Sequence, residues 1–229
     1  GYQLSYPYET ISQLSPQECT KLKREGLYIC MIKNPNPVAK NVTPQLSDAA
    51  FIREKVPMTK EEIRHVSICK LHLKSDSVLY DVGSGTGSIA VEAASLSDDM
   101  EVYAIEQKEN AVQLITQNKE KHRLENIHVI NAKAPDGMDN LPVPTHAFIG
   151  GSSGNLKEII EALKAKNPHI RIVINAISME TICEIKEIMS AYDVKNEDIV
   201  QLQVSRSKQI GHYHLMQAEN PVWICSFEF

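Results

Sequence analysis

Nowhere do the 229 residues of this chain string together the roughly 20 consecutive apolar positions that a membrane-crossing helix needs, and no basic segment followed by an apolar one opens it. The expectation is a soluble, cytoplasmic protein with no membrane partner. Nor is there an excess of basic charge. The 24 lysines and arginines stand against 29 acidic residues, a formal charge of −5, which argues against a surface built to neutralise nucleic-acid phosphates. The five cysteines, Cys19, Cys30, Cys69, Cys183 and Cys225, form no C-x-x-C pair. They read as reduced core residues, without disulfide or metal. His212-Tyr213-His214 puts two imidazoles on one strand face, too few ligands for a metal site.

What the chain does have is 42% apolar content, enough for a sizeable core, and the run Ser77-Val78-Leu79-Tyr80-Asp81-Val82-Gly83-Ser84-Gly85-Thr86-Gly87-Ser88. An apolar run, alternating glycines and then helix formers at 89–94 read as strand, tight turn and helix. Gly83, Gly85 and Gly87 let a ligand approach the main chain, and the loop amides, Ser84 and Thr86 included, offer it donors. A dinucleotide turn is spaced G-x-G-x-x-G, whereas position 88 here is Ser and the third glycine comes one residue early. With Asp81 ending the first strand and Glu106 the second, this departure favours S-adenosylmethionine. Asp81 can receive the ligand's ammonium, directly or through water, and Glu106 both ribose hydroxyls.

Around that motif the elements alternate. Thr59 with Glu62 three residues on predicts a capping box, opening a helix that carries Ile63, Val66 and Cys69 on one face. The same entry either brings Met58 and Thr59 to the ligand or serves only as a cap. Strands are predicted at 101–105, 127–130, 147–149 and 171–175, the last ending in Asn175, and helices at 110–123, 156–166 and from 178 or 181 to 189. Ala134, after the third strand, is the candidate for backbone contact with adenine. Gly150, Gly151 and Ser152, after the fourth, shape the substrate side or form a flexible turn. Strands at 199–206 and 220–228 have no helix signal between them and should pair antiparallel. The expected fold is α/β: a Rossmann-like class I S-adenosylmethionine-dependent methyltransferase, its mostly parallel doubly wound sheet closed by an antiparallel final strand pair.

Residues 1–40 do not share this pattern. Ser15-Pro16-Gln17-Glu18 predicts a helix start, 27–32 a strand, and Asn34-Pro35-Asn36-Pro37 a linker. A lone strand must complete some sheet. The segment therefore reads as an edge addition or, the reading favoured by a first residue that is glycine, the end of a preceding domain. Residues 41–229 form the methyltransferase domain.

From about Asn41 onward the chain resembles the decarboxylating precorrin methyltransferases of cobalamin (vitamin B12) biosynthesis, the CbiT-like family. The resemblance rests on Phe51-Ile52-Arg53, on Val56-Pro57-Met58-Thr59-Lys60-Glu61-Glu62-Ile63-Arg64, on the glycine motif, on Phe148-Ile149-Gly150-Gly151-Ser152 and on Gln203-Val204-Ser205-Arg206-Ser207. The opening segment is similar to the end of the tetrapyrrole methylase often fused ahead of this domain. The resemblance implies methyl transfer from S-adenosylmethionine to carbon 15 of a precorrin-6B or cobalt-precorrin-6B ring, with loss of carbon dioxide from the ring C acetate. It also implies a homotetramer, and cofactor contacts at Thr59, Gly83 to Gly87, Glu106 and Ala134. Lys133 departs from the acidic or small polar residue usual before Ala134.

Methyl transfer from a sulfonium depends chiefly on in-line positioning with water excluded, and the sequence assigns no catalytic acid or base. Because a reduced tetrapyrrole bears many carboxylates, cations should grip it. Arg206 leads, followed by Arg53, Arg64, Lys208 and His212, each with ordinary surface charge as the alternative. Other readings of the glycine motif are an RNA or protein methyltransferase, a nicotinamide oxidoreductase and a noncatalytic cofactor sensor.

Overall fold

The computed structural model describes residues 1–23, 25–33 and 43–229, in two units, Gly1–Ala39 and Lys40–Phe229. In the first, α1 (Pro16–Cys19) opens with a reciprocal cap. The Glu18 amide donates to Ser15 Oγ at 3.3 Å and the Ser15 amide to Glu18 Oε2 at 2.7 Å. The strand expected at 27–32 does not form. Among the described residues, 27–29 pair only with residues 1–3, through the isolated Tyr2–Tyr28 bridge and backbone bonds from the Gln3 amide to Leu27 and from the Ile29 amide to Gly1, and Leu27, Ile29, Met31 and Ile32 stay exposed. The linker at 34–37 and the boundary at 40–41 lie outside the described residues.

The second unit is a seven-stranded sheet. Its strands are β1 (Val78–Val82), β2 (Glu101–Glu106), β3 (Ile127–Asn131), β4 (His146–Ile149), β5 (Arg171–Ala176), β6 (Lys195–Leu202) and, last in the chain, β9 (Val222–Glu228). The order is β3-β2-β1-β4-β5-β9-β6. β1 to β5 run parallel, and β9 enters antiparallel between β5 and β6. β4 is buried along its whole length, as central strands covered on both faces must be. Helix α2 (Glu61–Leu71) leads into β1, and α3 (Ser88–Ala94), α4 (Glu109–His122), α5 (Leu156–Lys166) and α6 (Met179–Ala191) supply the crossovers. Apolar clusters cover both faces, one centred on Tyr80, Ile149, Leu163 and Phe227, the other on Leu71, Leu79, Ile115 and Phe148. Burial of each such side chain stabilises the fold by roughly 1.5–3 kcal/mol. This is the expected methyltransferase architecture.

Several local expectations are corrected. The cap of α2 is Lys60, with no side-chain cap bond, because Glu62 is engaged by Arg206, at 2.5 Å. Of the cysteines only Cys225 is buried; the other four are exposed, and all five are free. The strand expected through residue 206 stops at Leu202. Between β6 and β9 stands an unforeseen ribbon, β7 (Ser205–Ile210) and β8 (Tyr213–Ala218), paired only with itself and exposed throughout. Among the described residues no helix is long and apolar enough to cross a membrane.

Candidate active site

At the carboxyl ends of β1, β2, β4 and β5, where α/β sheets bind ligands, lies a cleft of about 480 Å³. Its floor is the glycine turn. Gly83 has φ +69°, and a Cβ there would stand 2.4 Å from the Gly151 carbonyl oxygen. The turn after β1 and the turn after β4 therefore touch backbone to backbone, which only glycine permits. Gln107 donates to Ser153 at 2.7 Å, tying the end of β2 to that second turn.

Two carboxylates organise the floor. Glu106, only 8% exposed yet part of the cleft wall, accepts from the Gly85 amide at 3.0 Å and the Lys108 amide at 2.9 Å. Each oxygen keeps a lone pair for a ligand hydroxyl. Asp81 is 1% exposed and lies beneath the turn, outside the cleft lining. Its Oδ2 accepts from the Ser84 hydroxyl at 2.6 Å and the Ala90 amide at 3.1 Å, while its Oδ1 is buried with no hydrogen-bond partner. Loss of water pushes its pKa up to about 7; the bonds from Ser84 and Ala90 oppose the shift, and the Glu106 charge adds to it.

One wall is the entry segment, 43–60, which carries little regular structure and is fastened by buried polar anchors. Arg64, fully buried on α2, donates to Glu92 of α3 at 2.7 Å, to the Thr59 carbonyl at 2.8 Å, to Asp48 at 3.3 Å and to the Leu46 carbonyl. Glu92 also accepts from the amides of Gln45 and Leu46, at 2.6 and 2.8 Å. Asn118 of α4 donates to the carbonyls of Ile52 and Thr86, at 2.8 and 2.9 Å, and accepts from the Ile52 amide at 2.8 Å. The same side chain thus joins entry segment and glycine turn.

Of the expected cofactor residues, Thr59, Gly83, Ser84, Gly85, Glu106 and Ala134 line the cleft. Thr86 is fully buried below, and Gly87 packs where a Cβ would meet Ile115 at 3.1 Å. Asp81, Thr86 and Gly87 therefore shape the turn from beneath; in this structure they present nothing to the cleft. Gly150, Gly151, Ser152, Met58 and Asn175 line it as expected.

The cationic candidates do not. Arg64 is consumed by the anchors just described, which corrects its expected role: a guanidinium without exposed surface cannot hold a substrate carboxylate. Arg206 lies on β7 among Glu62, Glu61 and Asp48. Arg53 is exposed outside the cleft lining, as are Lys208 on β7 and His212 in the turn of the ribbon. Sequence reasoning missed Lys55, Lys60 and Lys108, which do line the cleft together with Lys133, and Asn220, which enters from the start of β9. Asn220-Pro221, closing the ribbon, was the signal available for the last.

The fold pattern now meets its sequence relatives. Residues 49–228 match the family described as the precorrin methyltransferase domain. The chain belongs to that family. A precorrin methyltransferase domain of similar sequence is the cobalt-precorrin-6B C(15)-methyltransferase (decarboxylating) of Salmonella typhimurium, 34% identical over 181 residues, covering 78% of this chain and 93% of that protein. Among solved structures, the precorrin-6Y C5,15-methyltransferase of Geobacter metallireducens superposes with a TM-score of 0.77 at 30% identity, covering 84% of this chain and all of that one. The precorrin-8W decarboxylase of Methanobacterium thermoautotrophicum gives 0.75 at 30% identity, over 80% of this chain and 99% of that one.

Proposed function

We propose that the chain transfers a methyl group from S-adenosylmethionine to carbon 15 of a precorrin-6B or cobalt-precorrin-6B ring and releases the ring C acetate carboxyl as carbon dioxide, in cobalamin biosynthesis. The family membership and the relatives' activities support this, and the cleft supports the cofactor. Its turn is closed by glycines whose Cβ atoms would run into Gly151, the Pro57 carbonyl and Ile115, Glu106 faces in as a diol acceptor, and Asp81 keeps an unpartnered carboxylate oxygen beneath the turn. A buried carboxylate with one unpartnered oxygen favours positive charge nearby, here across the turn rather than by direct contact. The observation that carries the reading is this pairing of Asp81 and Glu106 around one glycine turn.

In this mechanism Glu106 holds the ribose hydroxyls, Ala134 borders the adenine, and Gly83 to Gly85 bound the amino acid portion. The cofactor, when bound, supplies an electrophilic methyl on sulfur. Asp81 stabilises the nearby positive charge through the turn. The walls formed by Met58, Ile177 and Gly150 to Ser152 exclude water and orient the ring carbon in line with the methyl. No side chain is assigned a proton transfer; electrons freed by decarboxylation enter the conjugated ring.

We also infer a homotetramer, the partner surface being the β7–β8 ribbon, which exposes Ile210, Tyr213, Leu215 and Met216. Residues 1–40 are proposed as the end of a preceding, fused methylase domain, and the cytoplasm as the compartment. Anaerobic incubation with metal-free and with cobalt-bearing precorrin-6B, read by mass, tests the activity. A product that has gained a methyl group and lost carbon dioxide is expected; S-adenosylmethionine left unconsumed with both rings would overturn it.

A further inference from the structure

The arginines that the sequence offered for the substrate are absent from the cleft, yet the cleft is not neutral. Four lysines line it, Lys55, Lys60, Lys108 and Lys133, against two carboxylates, Glu106 and Glu219, in a chain whose formal charge is −5. Glu106 already accepts two backbone amides. Among the described residues the ammonium groups of Lys55, Lys108 and Lys133 have no ion-pair partner, and Lys60 has only Asp48, at 3.7 Å. The basic charge is therefore concentrated and, Lys60 apart, outside any ion pair among the described residues.

S-adenosylmethionine cannot account for it. That cofactor carries one carboxylate and two positive centres, so it satisfies one lysine and disfavours the rest. Lys108, two residues after Glu106 and bonded to its carboxylate through the backbone amide, belongs to the nucleoside side. Lys55 and Lys60 stand on the entry-segment wall and Lys133 on the loop after β3, so the remaining cations come from two separate segments of the rim. Carboxylates spaced around the edge of a ring meet cations spaced in this way. Lysine suits the task, because a point charge on a flexible stem follows carboxylates of varied position where a rigid guanidinium fork would demand one geometry.

We propose that Lys55, Lys60 and Lys133 bind peripheral carboxylates of the tetrapyrrole substrate; this rests on the function proposed above. The test uses the whole chain with cobalt-precorrin-6B and with metal-free precorrin-6B. Lys55→Ala and Lys133→Ala should each raise KM about fivefold, and together about twentyfold, with kcat within about twofold and S-adenosylmethionine affinity by calorimetry unchanged. Raising salt from about 0.05 to about 0.5 M should raise the wild-type KM steeply and that of the double variant much less. Lys60→Gln should behave like the other single variants, Lys133→Arg, which keeps the charge, should retain the wild-type salt response, and Lys186→Ala on α6 should change nothing. A double variant with the wild-type KM and salt response overturns the assignment while leaving the proposed activity standing. Cofactor affinity falling in step with KM for Lys133→Ala moves that residue to the cofactor and overturns its part. A wild-type chain that binds S-adenosylmethionine but turns over neither ring removes the function itself, and the lysines' role with it.

Discussion

Replacing Asp81 by Asn tests the buried carboxylate beneath the glycine turn. In the folded chain its pKa is pushed up to about 7, against 3.8 for an unperturbed Asp. The folded state therefore holds the proton more tightly than the unfolded state, and stability falls as pH rises from about 4 to about 7, with the penalty complete above that. At 1.36 kcal/mol per pKa unit the penalty reaches about 4 kcal/mol. An amide removes it and keeps the contacts: its oxygen, at the Oδ2 position, accepts from both the Ser84 hydroxyl and the Ala90 amide, and its NH2 takes the position of the unpartnered Oδ1. Asp81→Asn should match the wild type at pH 4 and exceed its stability by about 2–4 kcal/mol at pH 8. Trp223, the only tryptophan, lies on β9 against the core, so its fluorescence in urea titrations follows the second unit. Binding should move the other way, with S-adenosylmethionine held roughly tenfold more weakly, about 1.4 kcal/mol, once the anion is gone. Parallel pH profiles for the two proteins would refute the reasoning, because a solvated carboxylate gives no divergence.

Glu106→Ala should lower S-adenosylmethionine affinity by about 10- to 100-fold, from the loss of charge-assisted hydrogen bonds, with the circular dichroism spectrum unchanged; equal affinity by calorimetry removes Glu106 from the cofactor site. Arg64→Met should destabilise the chain by about 3–5 kcal/mol because the buried Glu92 keeps its two amide donors but loses its guanidinium counter-charge, and adding Glu92→Gln should recover part of that in urea titrations. Recovery of nothing means that the ion pair is not what holds the entry segment. Gly83→Ala should abolish cofactor binding and cost at least about 2 kcal/mol, since the new Cβ meets the Gly151 backbone at a positive φ. A thermal midpoint and affinity equal to the wild type would show that the two turns have room to separate.

The parts readable in the chain are those encoded by near neighbours. Alternating glycines after an apolar run located β1, its turn and α3, and the helix expected at 156–166 is α5 with the same bounds, since its apolar period and the glycine-rich turn before it are local. The site was legible to the same depth: Glu106 and Gly83 to Gly85 follow from strand ends and turn chemistry. Charges were not legible, because a charged side chain's role depends on its partner. Arg64 looks like any exposed cation on an amphipathic helix, and its partner Glu92 is 28 residues away on α3. Thr59 and Glu62 have the spacing of a cap, but Arg206, 144 residues on, takes the glutamate. The ribbon was missed because its strands lack one apolar face; its clearest signal was Gly211, at φ +62° in the turn.

The polar fastening of residues 43–60 bears on how molecules come and go. A lid held by apolar contacts can peel away gradually, each lost contact costing little. Here, lifting the segment strips Glu92 of two amides, Arg64 of the Leu46 and Thr59 carbonyls and Asn118 of its Ile52 partners, so the buried anchors resist opening together. Residues 43–60 therefore make a fixed wall rather than a hinged one, and the cations Lys55 and Lys60 that it carries are held in place with it.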